Sequence, residues 1–224
     1  YLAGRETGRL LALWRETAVL RKTAKALKKD NPELFIRLRE NGKIQELLRK
    51  PYATWEQAGE QSKSVNEVVS RLTKAQYRLK FLGLTEHDMR LLLVELEQSH
   101  AAASAAYLAC RNKPAVAKLH EFRKKSKTFM YQLVFFRYLE PQKVRQLEKK
   151  LAAMTLNLGK YNDLAQIMSL TGYSYGDPEN SDPDNELAIV IRDRQDRYLA
   201  RVWPHAYRIF APGKKLQDLL GISF

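Results

Sequence analysis

The chain has 224 residues, 45% of them apolar, and its 39 Lys and Arg exceed its 25 Asp and Glu, which gives a formal net charge of +14. This composition supplies an ordinary hydrophobic core and argues against a disordered chain. The single cysteine, Cys110, excludes an internal disulfide and a zinc site built from cysteines. No apolar run approaches the roughly 18 residues that span a bilayer, so we expect a soluble, cytoplasmic protein. The excess of positive charge predicts an anionic polymer or surface as the partner.

Apolar residues recur every three or four positions along almost the whole chain, without a convincing period of two, and this predicts an all-α protein. The predicted helices lie near residues 2–29, 32–49, 53–60, 64–82, 85–112, 114–138, 141–170, 185–210 and 212–221. Asn41-Gly42 predicts a kink inside the second of them. The stretch 171–185 is acidic and rich in glycine and proline, which predicts a surface loop.

The predicted helix 114–138 has two chemically different sides. At about 100° per residue, one side carries a histidine, three cations and a tyrosine, namely His120, Arg123, Lys124, Lys127 and Tyr131, called the basic strip below. The opposite side is apolar and consists of Phe122, Phe129, Leu133 and Phe136. Like charges at these spacings repel each other by a few tenths of a kcal/mol per pair, so the basic strip predicts a compensating anion.

The order of two motifs carries a family resemblance. The basic strip fits a His-x-x-Arg-Lys-x-x-Lys pattern, and Leu158–Leu164 reads Leu-Gly-Lys-Tyr-Asn-Asp-Leu. Together they resemble the two hallmarks of the conserved histidine α-helical domain (CHAD) family. A less specific match to the second hallmark runs from Arg9 to Leu20 and includes Arg15 and Glu16, which indicates a weak internal repeat.

This resemblance implies a single domain over residues 1–224, in which two pseudo-symmetric antiparallel helical bundles, 1–112 and 113–224, surround a basic cavity. It also implies non-catalytic binding of inorganic polyphosphate without a metal or cofactor, in the cytoplasm and in association with polyphosphate granules. The basic strip is the implied polyphosphate-binding site.

The internal repeat has a consequence for the first half of the chain. His120 precedes Asp163 by 43 residues, and Glu16 is the counterpart of Asp163, so the matching histidine would precede the start of the chain. We therefore expect the first bundle to lack its first basic helix. The chain carries Glu16 where relatives often have Asp, and Asn162 where they often have His or Arg. Relatives also often carry arginines in the segment that corresponds to Gln98–Tyr107. Some of the usual anion contacts are therefore expected to be absent.

Linear polyphosphate offers a dense line of oxyanions and no bases to recognise. Arg123 can present a planar fork to two phosphate oxygens, whereas Lys124 and Lys127 act as compact charges that tolerate sliding of the polymer. Further cations are candidates for the same cavity: Arg9, Arg15, Arg71, Lys74, Arg78, Arg194, Arg197 and Arg201. Each of these groups, taken singly, also fits the solvated face of an amphipathic helix.

Two other functions remain open. Nucleic acid is the main alternative, because Lys and Arg contact its phosphates without regard to sequence. The aromatic residues near the basic strip mostly face the opposite side of the helix, however, and this favours a polymer without bases. A basic helical module that meets an acidic protein or a membrane surface is the second alternative.

Enzyme motifs are not evident in the sequence. His120-Glu121 begins like the helix of a zinc protease, but Lys124 stands where the second histidine would be. His87, His100 and His205 lack the spacing of metal ligands, and ordinary core or surface roles are expected for them. We therefore predict a binding protein rather than an enzyme.

Overall fold

The computed structural model describes residues 18–38, 42–49, 55–81, 83, 85–172 and 183–221. Every regular element in these ranges is a helix, so the all-α prediction is confirmed. The described helices are α1 (residues 18–30), α2 (Pro32–Arg37), α3 (Gly42–Arg49), α4 (Trp55–Lys80), α5 (Glu86–Arg111), α6 (Val116–Leu133), α7 (Pro141–Thr171), α8 (Pro183–Phe210) and α9 (Leu216–Leu220). None of the helices in the described part of the chain is long and apolar enough to cross a membrane.

Several predicted boundaries were wrong. The two helices expected at 53–60 and 64–82 form the single helix α4, because Gly59 lowers helix propensity without interrupting the backbone hydrogen bonds. Conversely, the helix expected at 32–49 is two helices, since α2 ends at Arg37 and Gly42 begins α3 instead of kinking one continuous helix. The helix expected at 114–138 ends as an α-helix at Leu133 and tightens into a 3₁₀ turn, Val134–Phe136.

A four-helix arrangement of α5, α6, α7 and α8 contains the larger core. α6 packs between α5 and α7, α8 packs along α7, and α5 also contacts α8. Aromatic rings fill the centre, where Phe210 lies 5.6 Å from Phe122 and 6.0 Å from Phe129, measured between ring centroids. Both of these contacts are close to edge-on, which is a favourable geometry for aromatic pairs.

A second, smaller core joins α1, α2 and α3 to the later part of α7 and the early part of α8. Its buried members are Ala24, Leu27, Leu34, Phe35, Leu38, Ile44, Leu164, Ile167, Met168, Leu187, Ala188 and Ile191. An ion pair between Asp30 and Arg194, with 2.8 Å between oxygen and nitrogen, also links α1 to α8. Because α7 and α8 take part in both cores, they connect the two parts of the molecule.

Candidate polyanion-binding site

The core side of α6 determines which residues the helix exposes. Its buried residues are Leu119, Phe122, Ser126, Phe129 and Leu133, and Phe136 in the following turn is also buried. The apolar side predicted from the sequence is therefore confirmed. Of the basic strip, Lys124 and Tyr131 are exposed, while His120, Arg123 and Lys127 are half-buried. No acidic residue lies in the first turn of α6, but Arg123, Lys124 and Lys127 lie more than one turn beyond it, where the partial positive charge of the helix end has little effect.

Arg123 connects the two sequence motifs in space. Its Nε donates a hydrogen bond to the backbone oxygen of Thr155 in α7, at 3.3 Å. The guanidinium lies against Gly159, where an added Cβ would be only 3.3 Å from Nε and from Nη2. The glycine of the Leu-Gly motif therefore gives room to the arginine of the basic strip. This contact fixes Arg123 between α6 and α7 and leaves part of its planar fork available.

The lysines of the strip already have partners within α6. Lys124 forms an ion pair with Glu121 at 2.5 Å, and Lys125 lies 3.8 Å from the same carboxylate. The hydrogen bond from Lys124 lowers the pKa of Glu121, and the nearby charges of Lys124 and Lys125 act in the same direction. The sequence predicted that an external anion compensates the positive charge of the basic strip. Glu121 already compensates part of this charge. A ligand must compete with Glu121 for Lys124.

Lys127 and His120 offer two further contacts. The Nζ of Lys127 lies 5.4 Å from the ring centre of Tyr131, in the range of a cation–π interaction. The Nδ1 of His120 is shielded from solvent and has no hydrogen-bond partner among the described residues. An unpaired buried polar atom is unfavourable, and a phosphate oxygen could remove this penalty only after a movement of neighbouring side chains that opened a path to the nitrogen.

A second cluster of cations lies on α8. A groove of about 240 Å³ is lined by Asp30, Arg194, Arg197, Tyr198 and Arg201. Arg194 is paired with Asp30, and Arg197 with Asp193 at 2.5 Å. Arg201 is exposed and has no ionic partner among the described residues. The three arginines predicted from helical spacing therefore do share one groove.

Helix α7 lies between the two clusters. Gly159 contacts Arg123 of α6, and its neighbour Lys160 places Nζ 5.5 Å from the ring centre of Tyr198, in the groove on α8. Arg123 of the basic strip and Tyr198 of the α8 groove therefore contact neighbouring residues of α7. Lys160 was not among the predicted site residues, although its position beside Gly159 in the Leu-Gly motif was a signal that could have identified it.

The remaining candidate cations are not brought to this surface by the described packing. Arg9, Arg15 and the side chain of Arg78 lie outside the described residues. Arg71 forms an ion pair with Glu67 at 2.6 Å within α4, and Lys74 is exposed on the same helix. Helix α4 makes only sparse contacts with the other described helices.

The prediction about aromatic residues is only partly right. Phe136 is 1% exposed, as expected, but its neighbours Phe135 and Tyr138 are 54% and 63% exposed. A helical projection continued past Leu133 would have placed both within about 60° of His120, on the side of the basic strip. The argument that nearby aromatic rings face away from the cations therefore holds for Phe122 and Phe129 of α6, but not for Tyr131 or for the turn after the helix.

His100 has the core role that was expected for it. It is 6% exposed, its Nε2 lies 3.0 Å from the backbone oxygen of Ile209, and its ring lies 5.2 Å from that of Phe129, measured between centroids. The hydrogen bond to a carbonyl requires the proton on Nε2. Burial lowers the pKa of His100 because the cation loses its hydration, although the bond to Ile209 opposes this shift.

The lowered pKa of His100 predicts a pH-dependent stability. Below the ordinary histidine pKa of about 6.5, the unfolded chain binds a proton that folded His100 does not yet accept. The free energy of unfolding should therefore fall as the pH drops from about 6.5 towards the lower pKa of the folded state. Urea unfolding at several pH values should show a weaker decline in His100→Gln, whereas His87→Gln, at an exposed position, should keep the wild-type decline. Equal pH dependence in all three proteins would contradict this assignment.

The described residues offer no cluster of three or more His, Cys, Asp or Glu that could hold a metal ion. No protein-family model, curated protein or solved structure matches this chain. The arrangement of the α6, α7 and α8 side chains and the two sequence motifs are therefore the observations that bear on function.

Proposed function

We propose that the protein binds inorganic polyphosphate through the basic strip of α6 and catalyses no reaction. The observation that carries this proposal is the placement of Arg123, Lys124 and Lys127 within little more than one turn of one helix, outside its buried face. Arg123 is held in place by Thr155 and Gly159, so its guanidinium loses less conformational entropy when it binds.

In this proposal the groove on α8 extends the binding surface across α7. Arg201 and Lys160 supply further positive charge, and an extended polymer that crosses α7 at Gly159 would meet both clusters. Multiple weak phosphate contacts along one polymer add to its affinity without requiring a fixed register. Polyphosphate fits this arrangement better than a compact anion because the cations are spread over three helices.

The proposed function includes membership of the CHAD family. In this proposal residues 1–112 and 113–224 form two pseudo-symmetric helical bundles around the basic surface, and the protein acts in the cytoplasm together with polyphosphate granules. The contact between Arg123 of the first motif and Gly159 of the second supports the proposal, because the glycine makes room for the guanidinium and so connects the two motifs in one site.

Calorimetric titration with long-chain polyphosphate tests the proposed function. At near-physiological salt, polyphosphate should bind more tightly than duplex DNA or anionic vesicles supplied at equal phosphate concentration. The logarithm of the binding constant should fall with the logarithm of salt concentration, with a slope of about −0.7 for each phosphate bound on a flexible polyanion. The absence of polyphosphate binding, or stronger binding to vesicles, would contradict the proposal and favour a membrane-surface module.

A further inference from the structure

The exposed side of α6 continues beyond the basic strip as a row of aromatic rings. Tyr131, Phe135 and Tyr138 are 56%, 54% and 63% exposed. We call these three residues the aromatic platform. By contrast, Phe122 and Phe129 of α6 are 0% exposed and pack in the core. The three rings of the platform lie outside that core. Exposure of three large rings within eight residues of chain is unfavourable in water, and exposed apolar patches commonly mark a binding surface.

The aromatic platform is held by contacts on both sides. Phe136 anchors the 3₁₀ turn in the core, and Arg137 forms hydrogen bonds of 2.9 and 3.0 Å with the carboxylate of Glu148 in α7. The hydroxyl of Tyr138 lies 3.4 Å from the sulfur of Met89 in α5. These contacts fix the turn against α5 and α7, so the exposed rings are presented in a defined arrangement before any ligand binds.

We infer that the basic strip and the aromatic platform together bind single-stranded nucleic acid. The lysines would contact the phosphates while bases stack on the rings of Phe135 and Tyr138, a combination typical of proteins that bind single strands without sequence preference. Phe135 follows Tyr131 by four residues, of which the first two steps are α-helical and the last two lie in the 3₁₀ turn, so the rise is about 7 Å. This is close to the length of two stacked nucleotides at about 3.4 Å each.

The inference rests on the proposed function, because the same lysines would hold the phosphates of both polymers. It goes further in assigning a role to the rings, which polyphosphate cannot use since it has no bases. A duplex also hides the faces of its bases, so the platform favours single strands. An apolar protein partner would account for the rings but not for the lysines one and two turns before them.

Fluorescence anisotropy with two labelled probes tests this inference. One probe is an oligothymidine of about 15 nucleotides, and the other is an abasic strand of the same length and charge. We expect oligothymidine to bind the wild-type protein at least about tenfold more tightly than the abasic strand. Phe135→Ala with Tyr138→Ala should reduce the affinity for oligothymidine by about tenfold or more, while the affinities for the abasic strand and polyphosphate change by less than about twofold.

Two further variants make the test specific. Phe135→Trp retains a stacking surface and should keep the affinity for oligothymidine. Tyr77→Ala with Phe81→Ala removes an equally exposed aromatic pair at the end of α4 and should leave all affinities unchanged.

The possible failures are distinguishable. If polyphosphate binds but the two strands bind equally in every protein, the inference is overturned and the proposed function stands. If no probe binds, both fail. If the double alanine variant only changes self-association in light scattering, the platform is a protein interface and the inference is again overturned.

Discussion

Replacing Phe129 by alanine should lower the free energy of unfolding by about 3–5 kcal/mol, the usual cost of removing a buried phenylalanine ring. Phe129 is 0% exposed, and its ring packs against those of His100 and Phe210 at centroid distances of 5.2 and 6.0 Å. The loss is a large part of the roughly 5–15 kcal/mol that stabilises a typical domain. Urea unfolding monitored by circular dichroism measures it directly.

Phe135→Ala is the matched control, because it removes the same ring from a position that is 54% exposed. Its effect on the free energy of unfolding should be within about 0.5 kcal/mol. Similar losses in the two variants would show that α6 does not face the core through Phe129. Because that face also determines where Arg123, Lys124 and Lys127 lie, such a result would remove the structural basis of the basic strip.

The faces of α6 were predictable because its sequence separates apolar and cationic residues with a helical period. Phe122, Phe129 and Leu133 recur on one side, and burial of that side requires the cations to face outward. The pairing of Lys124 with Glu121 was also available from the sequence, since residues three apart are neighbours on a helix. The compensation that we attributed wholly to a ligand was thus partly local.

Contacts between distant segments could not be predicted in the same way. The sequence contains Arg123 and Gly159 in separate motifs, but only the packing of α6 on α7 brings the guanidinium to the glycine. The contact of Lys160 with Tyr198 similarly depends on the packing of α7 on α8. The periodicity of a helix predicts which of its sides is buried. Which helix packs against that side, and at which position along the helix, depends on the packing of the complete core.

Helix boundaries were wrong where local signals were ambiguous. A glycine inside a helical sequence pattern can lower the stability of a helix, begin a helix or end one. Gly59 and Gly42 occupy different positions relative to their helices in this chain. Gly59 lies within the 26-residue helix α4, whereas Gly42 is the first residue of α3. The residue type alone does not distinguish these cases.

Neutralising two lysines of the basic strip should weaken polyphosphate binding by about 100-fold. Each charge-assisted hydrogen bond is worth about 1.5 kcal/mol, and about 1.4 kcal/mol corresponds to a factor of ten in affinity. In Lys124→Gln with Lys127→Gln, the salt dependence should also become shallower, by about 0.7 in slope for each phosphate that the variant no longer binds. Lys124 is exposed, Lys127 is half-buried, and Arg123 keeps its bond to Thr155, so the thermal unfolding midpoint should change little. Calorimetric titration at several salt concentrations measures both the affinity and the slope.

The decisive comparison is with Lys149→Gln and Lys214→Gln, which remove the same charge from exposed positions outside the basic strip, one on α7 and one between α8 and α9. If the site is local, this pair should retain nearly all of the affinity, because neither lysine belongs to the basic strip. If both pairs weaken binding equally, the protein attracts polyphosphate through its net charge of +14 and not through α6. Arg123→Lys then separates charge from geometry: it keeps the positive charge but removes the planar fork that lies against Gly159, and a local site should lose affinity in this variant as well.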